Sequence, residues 1–125
     1  MRNKYGNRKI VTADGKFDSS HEYQRWCELK LLERCGKISH LKRQEKYLLI
    51  PAQYETYERI SEKTGKKIKD GRRCLEKECS YVADFVYFLP GGELVVEDAK
   101  GVRTEAYIIK RKLMLQVYGI KISEV

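Results

Sequence analysis

The sequence predicts an α/β fold with a central mixed sheet flanked by helices. A helix pattern begins after Ser19 and ends near Gly36, and a second helix pattern covers about residues 104–118. Strand-like segments fill most of the chain between them. A last alternating segment, 120–125, follows the second helix, and a strand reached through a helical crossover pairs parallel to a neighbour. We therefore expect one α/β domain across residues 1–125.

The first helix has recognisable start and stop signals. Residues 1–16 before it are basic and polar, and we expect them to form an arm or a short first turn. Ser19 can cap the helix, and Glu22 stands three residues later, which is the spacing of a capping box. Gly36 is typical of the residue that follows a helix end. Glu22 also shares a helix face with Trp26, so a role beyond capping stays open.

Strand signals follow in two pairs. The first pair is 41–50 and 53–60, separated by Pro51, which fits a strand end or a bulge. The second pair is 80–89 and 93–100, joined by a Pro-Gly-Gly turn. Because such a tight turn joins strands into a hairpin, we expect the second pair to be antiparallel.

A basic, glycine-punctuated loop is expected at about residues 61–73. Six Lys or Arg residues there face only Glu62 and Asp70, which gives a net charge of +4. Two interpretations stay open, a solvated hairpin tip and a loop that contacts DNA. The DNA-binding candidates of this segment are Lys66, Lys67, Lys69, Arg72 and Arg73.

The composition points to a polyanionic partner. The 26 Lys and Arg residues exceed the 18 Asp and Glu residues, which gives a net charge of +8 and a pI near 9.3. Nucleic acid is the first candidate and an anionic membrane surface the second. No apolar run approaches the ~20 residues that span a bilayer, and the basic N-terminus lacks the apolar segment of a signal peptide. We expect a cytoplasmic protein with no membrane partner.

The cysteines are expected to be free thiols. Cys74 and Cys79 are close in sequence, but a zinc site would need two further ligands, and the two tight ligand pairs of structural zinc sites are absent. A disulfide between these two residues is disfavoured in a reducing compartment.

The two strands that flank the Pro-Gly-Gly turn hold the candidate site. Side chains two positions apart share one face of a strand, so Asp98 and Lys100 project together, whereas Glu97 is expected on the other face and outside the site. Asp84 lies on the preceding strand, in an apolar segment where a carboxylate is costly without a partner. Carboxylates that repel each other favour a hard divalent cation. The alternative is a surface ion pair between Asp98 and Lys100.

This arrangement resembles the PD-(D/E)XK nuclease superfamily, and the resemblance implies a restriction-endonuclease-like fold and a single nuclease-like domain over residues 1–125. Over residues 4–125 the chain is similar to a group of small phage-encoded proteins in it that resemble Holliday-junction resolvases. The shared segments are Phe-Asp-Ser, Leu-Leu-Glu-Arg-Cys-Gly, Ala-Asp-Phe, Val-Glu-Asp-Ala-Lys-Gly and Thr-Glu-Ala-Tyr. Two positions depart from the superfamily pattern: Ala83 stands where a proline is usual, and Asp98 stands where Glu is frequent.

The resemblance implies a Mg²⁺-dependent endonuclease that acts on branched DNA in recombination, in the cytoplasm of a bacterial host. Glu22, Asp84 and Asp98 would hold Mg²⁺, with Mn²⁺ as a substitute, and Lys100 would position the attacking water and stabilise the transition state. Because symmetric cutting of a four-way junction needs two active sites, a homodimer is implied. The alternatives are a catalytically silent DNA-binding module, and an exonuclease or nickase of the same superfamily.

The second helix offers another candidate DNA surface. An apolar stripe is expected to pack on the sheet, and it consists of Ala106, Ile109, Leu113 and Val117. The adjacent face carries cations and one aromatic side chain that suit a phosphate backbone, namely Arg103, Tyr107, Lys110 and Arg111. A solvated helix face is the competing interpretation of these residues.

Overall fold

The computed structural model describes residues 8–99 and 101–125, which form two compact units. The first unit contains the segments up to Tyr47 and from Tyr81 onward, and the second is Leu48–Ser80. In chain order the elements are β1 (Ile10–Thr12), β2 (Gly15–Phe17), α1 (Ser20–Arg34), β3 (Ser39–Ile50), β4 (Gln53–Ile60), β5 (Lys67–Glu76), β6 (Cys79–Phe88), β7 (Leu94–Asp98), α2 (Glu105–Tyr118) and β8 (Ser123–Glu124).

A four-stranded mixed sheet with the order β3-β6-β7-β8 organises the first unit. β6 and β7 are antiparallel, from Phe85 opposite Glu97 to Phe88 opposite Leu94. β7 and β8 are parallel, with Glu97 opposite Ser123, and α2 forms the crossover between them. The expected α/β fold with a mixed sheet and flanking helices is therefore confirmed, including both strand directions.

α1 packs on one face of this sheet and forms the main core. Leu29 of α1 is buried in a cluster with Phe85, Tyr87 and Ala99 from the sheet. Trp26 stacks on the ring of Phe85, with 6.0 Å between the ring centroids. Because Trp26 and Leu29 lie on the same side of α1 as Glu22, packing this face also turns Glu22 inward.

The expected buried stripe of α2 is wrong. Tyr107 and Met114 are the buried residues of this helix, whereas Ile109 and Val117 are 58% and 49% exposed and Ala106 is also exposed. Apolar side chains surround most of this helix, so their spacing alone leaves its rotation undetermined. The structure places the large Tyr107 and Met114 side chains, seven residues apart, in the interior.

The segment before α1 also differs from expectation. β1 and β2 form a short antiparallel hairpin, with Ile10 opposite Phe17, rather than an arm or a turn. Gly15 has a positive φ of 122°, which glycine adopts readily, and Phe17 is buried. The expectation for residues 1–7 lies outside the described residues.

The second unit contains the antiparallel pair β4–β5. β5 begins at Lys67. The predicted loop at 61–73 is therefore wrong from Lys67 onward, and Arg72 and Arg73 lie in a strand. Gly71 is not loop punctuation, because it lies opposite Tyr57 and a Cβ at this position would overlap the Tyr57 ring. The Tyr57 ring therefore packs over this glycine, and a larger residue here would displace the ring.

The structure bears on the expectations for the cysteines and for membrane-spanning helices. The four cysteines are free, as expected, namely Cys27, Cys35, Cys74 and Cys79. Among the described residues, no helix combines the length and apolar character needed to cross a membrane.

The N-cap of α1 leads to a stability prediction. The Ser19 hydroxyl oxygen accepts a hydrogen bond from the Glu22 backbone N–H at 3.1 Å. Ser19→Ala should lower the free energy of unfolding by about 1 kcal/mol in urea denaturation, because one helix-end donor loses its partner. Ser20→Ala is the matched control, since Ser20 is exposed and should change stability by less than about 0.5 kcal/mol. Equal losses in both variants would contradict the capping role.

Candidate functional site

Three acids predicted from the sequence come from three different elements of the first unit. Asp98 ends β7 and is 1% exposed, Glu22 lies in the first turn of α1 and is 3% exposed, and Asp84 on β6 is half-buried. One step beyond the pairing of Phe85 with Glu97, the antiparallel register places Asp84 opposite Asp98. Consistent with this, an Asp84 oxygen accepts a hydrogen bond from the Ala99 backbone N–H at 2.8 Å.

Two tyrosines surround Asp98. The Tyr81 hydroxyl donates a hydrogen bond to Asp98 Oδ2 at 2.6 Å, and the Tyr81 and Tyr107 rings lie 6.4 Å apart. Burial raises the pKa of Tyr81 well above its usual range, and the hydrogen bond to Asp98 and the charges of Asp98 and Asp84 raise it further. Burial and the Asp98 charge also raise the pKa of Tyr107. Tyr81 therefore stays protonated at neutral pH and remains a hydrogen-bond donor to Asp98.

Glu22 serves the helix end and the candidate site at once. Its Oε2 accepts a hydrogen bond from the Asp18 backbone N–H at 3.0 Å, one residue before the position of a standard capping box. Burial raises the pKa of Glu22, the neighbouring charges of Asp18 and Asp98 raise it further, and the Asp18 amide and Arg43 oppose the rise. The two interpretations of Glu22, helix cap and site acid, are compatible.

Sequence reasoning missed two neighbours of Glu22 on β3. The Arg43 guanidinium lies 3.9 Å from Glu22 Oε1 and over the Phe17 ring, 3.8 Å from its centroid, and it donates to the Lys16 carbonyl at 2.6 Å. Gln44 donates from Nε2 to Glu22 Oε1 at 3.4 Å and has a left-handed φ of 54°. A left-handed residue other than glycine is unusual inside a strand, and no sequence signal marks it.

Glu97 lies outside this group of acids, as strand parity predicts, but it is not a neutral position. It is 2% exposed, and Arg25 of α1 donates to both of its oxygens, from Nε at 2.8 Å and from a terminal nitrogen at 2.6 Å. Tyr87 also donates its hydroxyl to Glu97, and burial followed by this hydrogen bond raises the pKa of Tyr87 to about 12. Glu97 thus forms a buried ion pair that joins α1 to β7.

The acids suit a hard divalent cation in chemistry, but they do not form a ready-made binding group. Carboxylate oxygens are preferred Mg²⁺ ligands, and a cation would relieve the repulsion between Glu22 and Asp98. In the described part of the chain, however, no three His, Cys, Asp or Glu side chains come together as a metal-binding group. Each acid already accepts a hydrogen bond, from Asp18, Ala99 or Tyr81. The Mg²⁺ or Mn²⁺ site stays a prediction, and Lys100 lies outside the described residues.

The candidate DNA-binding residues of α2 do not form an open basic face. Tyr107 is buried, so its expected place among surface cations is wrong, because this large ring fills the interior beside Tyr81. Arg103 and Arg111 both form ion pairs with Glu124 of β8, at 2.7 Å and 3.3 Å, and Lys110 is half-buried. By contrast, the five cations predicted in the second unit are all exposed, namely Lys66, Lys67, Lys69, Arg72 and Arg73.

A comparison with protein families assigns the chain to one family. A family model described as "Protein of unknown function (DUF1064)" matches residues 2–123. The chain belongs to the DUF1064 family. No curated protein and no solved structure matches it. Since the family description states no activity, the nuclease resemblance of this DUF1064 chain stays a prediction.

The buried ion pair of the DUF1064 chain should be essential for stability. Arg25→Met leaves the Glu97 anion buried without its cation, so we expect a loss of about 3–5 kcal/mol in the free energy of unfolding. Arg34→Met, at an exposed position of the same helix, should change it by less than about 0.5 kcal/mol. The double variant Arg25→Met/Glu97→Leu should recover most of the loss. No recovery would contradict an electrostatic origin.

The environment of Glu22 predicts a pH dependence of stability. Because the pKa of Glu22 is raised in the folded state, folding is accompanied by proton uptake at pH values above the ordinary carboxyl pKa of 4.5. Stability should therefore fall as pH rises through the folded-state pKa, and Glu22→Gln should remove this part of the fall. Chemical denaturation with EDTA at about pH 5 and about pH 7 measures the change. Glu62→Gln, at an exposed position, is the control and should keep the wild-type slope. An unchanged slope in Glu22→Gln would show that Glu22 titrates normally.

Proposed function

We propose that this protein is a divalent-metal-dependent endonuclease that hydrolyses DNA phosphodiesters, with branched DNA as its preferred substrate. The observation that carries the proposal is the burial of acids from separate elements. Glu22 and Asp98 are 3% and 1% exposed, and Asp84 lies opposite Asp98 and accepts a hydrogen bond from the Ala99 backbone N–H. Burial raises the pKa of Glu22, and the charges of Asp18 and Asp98 add to the rise. The same three residues match the acid pattern of the resembled nucleases.

The raised pKa of Glu22 supports a cation-binding role. A raised carboxyl pKa means that the surroundings of Glu22 disfavour its anion, although Arg43 lies nearby. Burying acids in this way lowers stability, and such costly arrangements are concentrated at functional sites. Glu97 differs, because Arg25 neutralises it through two hydrogen bonds.

The proposed mechanism assigns a role to each residue. Glu22, Asp84 and Asp98 would hold the ion, which when bound polarises the scissile phosphate and lowers the pKa of the attacking water. Tyr81 orients Asp98 through its hydroxyl, and Arg43 and Gln44 contact Glu22. By resemblance, Lys100 would position the water and stabilise the charge that develops on the phosphate.

The proposed assembly and location follow from the resemblance. Symmetric cleavage of a four-way junction requires two active sites, which a homodimer with two-fold symmetry would supply. A phage-encoded enzyme of this kind would act in the cytoplasm of the bacterial host. An exonuclease or a nickase would use the same acids, and the choice of substrate separates them from a junction resolvase.

A catalytically silent DNA-binding module is the second candidate. It is favoured by the lack of a ready-made metal-binding group among the described residues. It predicts DNA binding without cleavage and no stabilisation by divalent cations.

Substitution of the acid–lysine set should separate these candidates. With Mg²⁺ and junction, duplex or single-stranded DNA, Asp98→Asn and Lys100→Ala should each reduce cleavage by about a hundredfold or more, because each removes electrostatic stabilisation of the transition state. DNA binding in EDTA should persist in both variants. Mg²⁺ at about 100 times its Kd should stabilise the wild type by about 2.7 kcal/mol, and Asp98→Asn much less.

The matched control is Asp14→Asn, the same chemical change at an exposed acid of the β1–β2 turn that pairs with Lys30. It should keep wild-type cleavage. Cleavage that survives both Asp98→Asn and Lys100→Ala would place the active site elsewhere. A wild type that binds DNA but neither cleaves it nor gains stability from Mg²⁺ would identify the silent module.

A further inference from the structure

We infer that the β4–β5 ribbon binds DNA on both of its faces. All residues of β4 are exposed, and in β5 only Gly71 is buried. A two-stranded pair exposed in this way contributes few side chains to a core. Its side chains are therefore not constrained by packing and can contact a ligand. This inference rests on the DNA-binding part of the proposed function and not on cleavage.

The strand register assigns each side chain to a face. Tyr54 is opposite Cys74 and Thr56 opposite Arg72, which places Tyr54 and Arg72 on the first face. The intervening residues form the second face, where Tyr57 is opposite Gly71 and Glu55 opposite Arg73. Between Tyr57 and Arg59 the register shifts because β5 has a bulge with one extra residue. The side chains of β4 therefore continue to alternate between the two faces. Arg59 therefore joins the second face, and Lys67, opposite Ile60, joins the first.

Each face presents one stacked Tyr–Arg pair. On the first face, the Arg72 guanidinium lies over the Tyr54 ring, 3.5 Å from its centroid. On the second face, Arg73 lies 4.9 Å from the Tyr57 ring centroid, and this ring covers Gly71. Both tyrosines are exposed. Aromatic rings and guanidinium planes are surfaces on which nucleic-acid bases stack.

Each face also presents one arginine without a carboxylate partner. Lys67 pairs with Glu58 on the first face, and Arg73 pairs with Glu55 on the second. Within the described residues, neither Arg72 nor Arg59 is in ion-pair distance of an acid. Both are exposed, so each can contact a phosphate without first breaking an ion pair.

The unpaired arginines on both faces of the ribbon indicate the geometry of the partner. A lipid surface, or one straight duplex lying against the ribbon, would contact a single face. Available cations on both faces fit a ligand that supplies phosphates on two sides, and the Tyr–Arg pairs can stack only on bases that are unpaired. The turn adds cations between the strands, including Lys63 and Lys66, so the charge is continuous around the end of the ribbon. We therefore expect two DNA segments, one against each face.

The test measures each face separately. Arg72→Gln removes the unpaired arginine of the first face and Arg59→Gln that of the second. Binding of a four-way DNA junction and of a linear duplex with the sequence of one arm is measured by fluorescence anisotropy in EDTA over a series of salt concentrations. On the junction, each substitution should weaken binding and make the plot of log K against log salt less steep by about one unit, and the double variant by about two. On the duplex, only one of the two should act.

Arg34→Gln is the matched control, an exposed arginine of α1 outside the ribbon, and should leave affinity and salt slope unchanged. Thermal unfolding should be the same in all variants, because the substituted side chains are exposed. The inference is wrong if only one face affects junction binding, if neither does, or if both substitutions weaken binding to phosphatidylserine vesicles while DNA binding is unchanged. Because cleavage does not enter this measurement, an inactive protein whose two faces both bind the junction would overturn only the proposed nuclease.

Discussion

The ion pair between Arg25 and Glu97 is the interaction on which the candidate site depends. Arg25 lies one helical turn after Glu22, and Glu97 directly precedes Asp98. Since Arg25 donates to both oxygens of Glu97, the first turns of α1 and the end of β7 are held together by a buried contact with directional geometry. Arg25 and Glu97 therefore help to set the separation between Glu22 and Asp98, although neither residue caps the helix or takes part in the proposed chemistry.

Glu97 and Asp98 are neighbours on β7, but their negative charges are compensated differently. Glu97 is neutralised by Arg25, so its burial is compatible with a stable core. At Glu22, burial raises the carboxyl pKa, and the charges of Asp18 and Asp98 raise it further despite the nearby Arg43. Adjacent residues of β7 thus have different surroundings, because Glu97 is paired with an arginine, whereas Asp98 lies opposite Asp84 and adds to the negative charge around Glu22. The second arrangement is the one that a bound cation would relieve.

Elements with local signals could be predicted from the sequence. α1 begins at the cap provided by Ser19, and the antiparallel pairing of β6 with β7 follows from the tight turn between them. The parallel pairing of β8 follows from the helical crossover. Strand alternation also separated Asp98 from Glu97, and the acids Glu22 and Asp84 were recognised from the resembled pattern. In each case the deciding information lies within a few residues or in a short connection.

Contacts between distant segments could not be predicted in the same way. The rotation of α2, with Tyr107 inside and Ile109 outside, depends on which side chain fits the interior, because apolar residues occur on several sides of the helix. Gly71 favours a loop in the sequence, whereas in the structure it lies within β5 and the Tyr57 ring of the opposite strand packs over it. The sequence sufficed for the fold class, for both helices, for the β6–β7 hairpin and for the candidate acids, but not for the β1–β2 hairpin or β5. The tertiary structure alone decided which cations and hydroxyl groups meet those acids, since such partners come from segments whose approach is determined by the packing of the whole core.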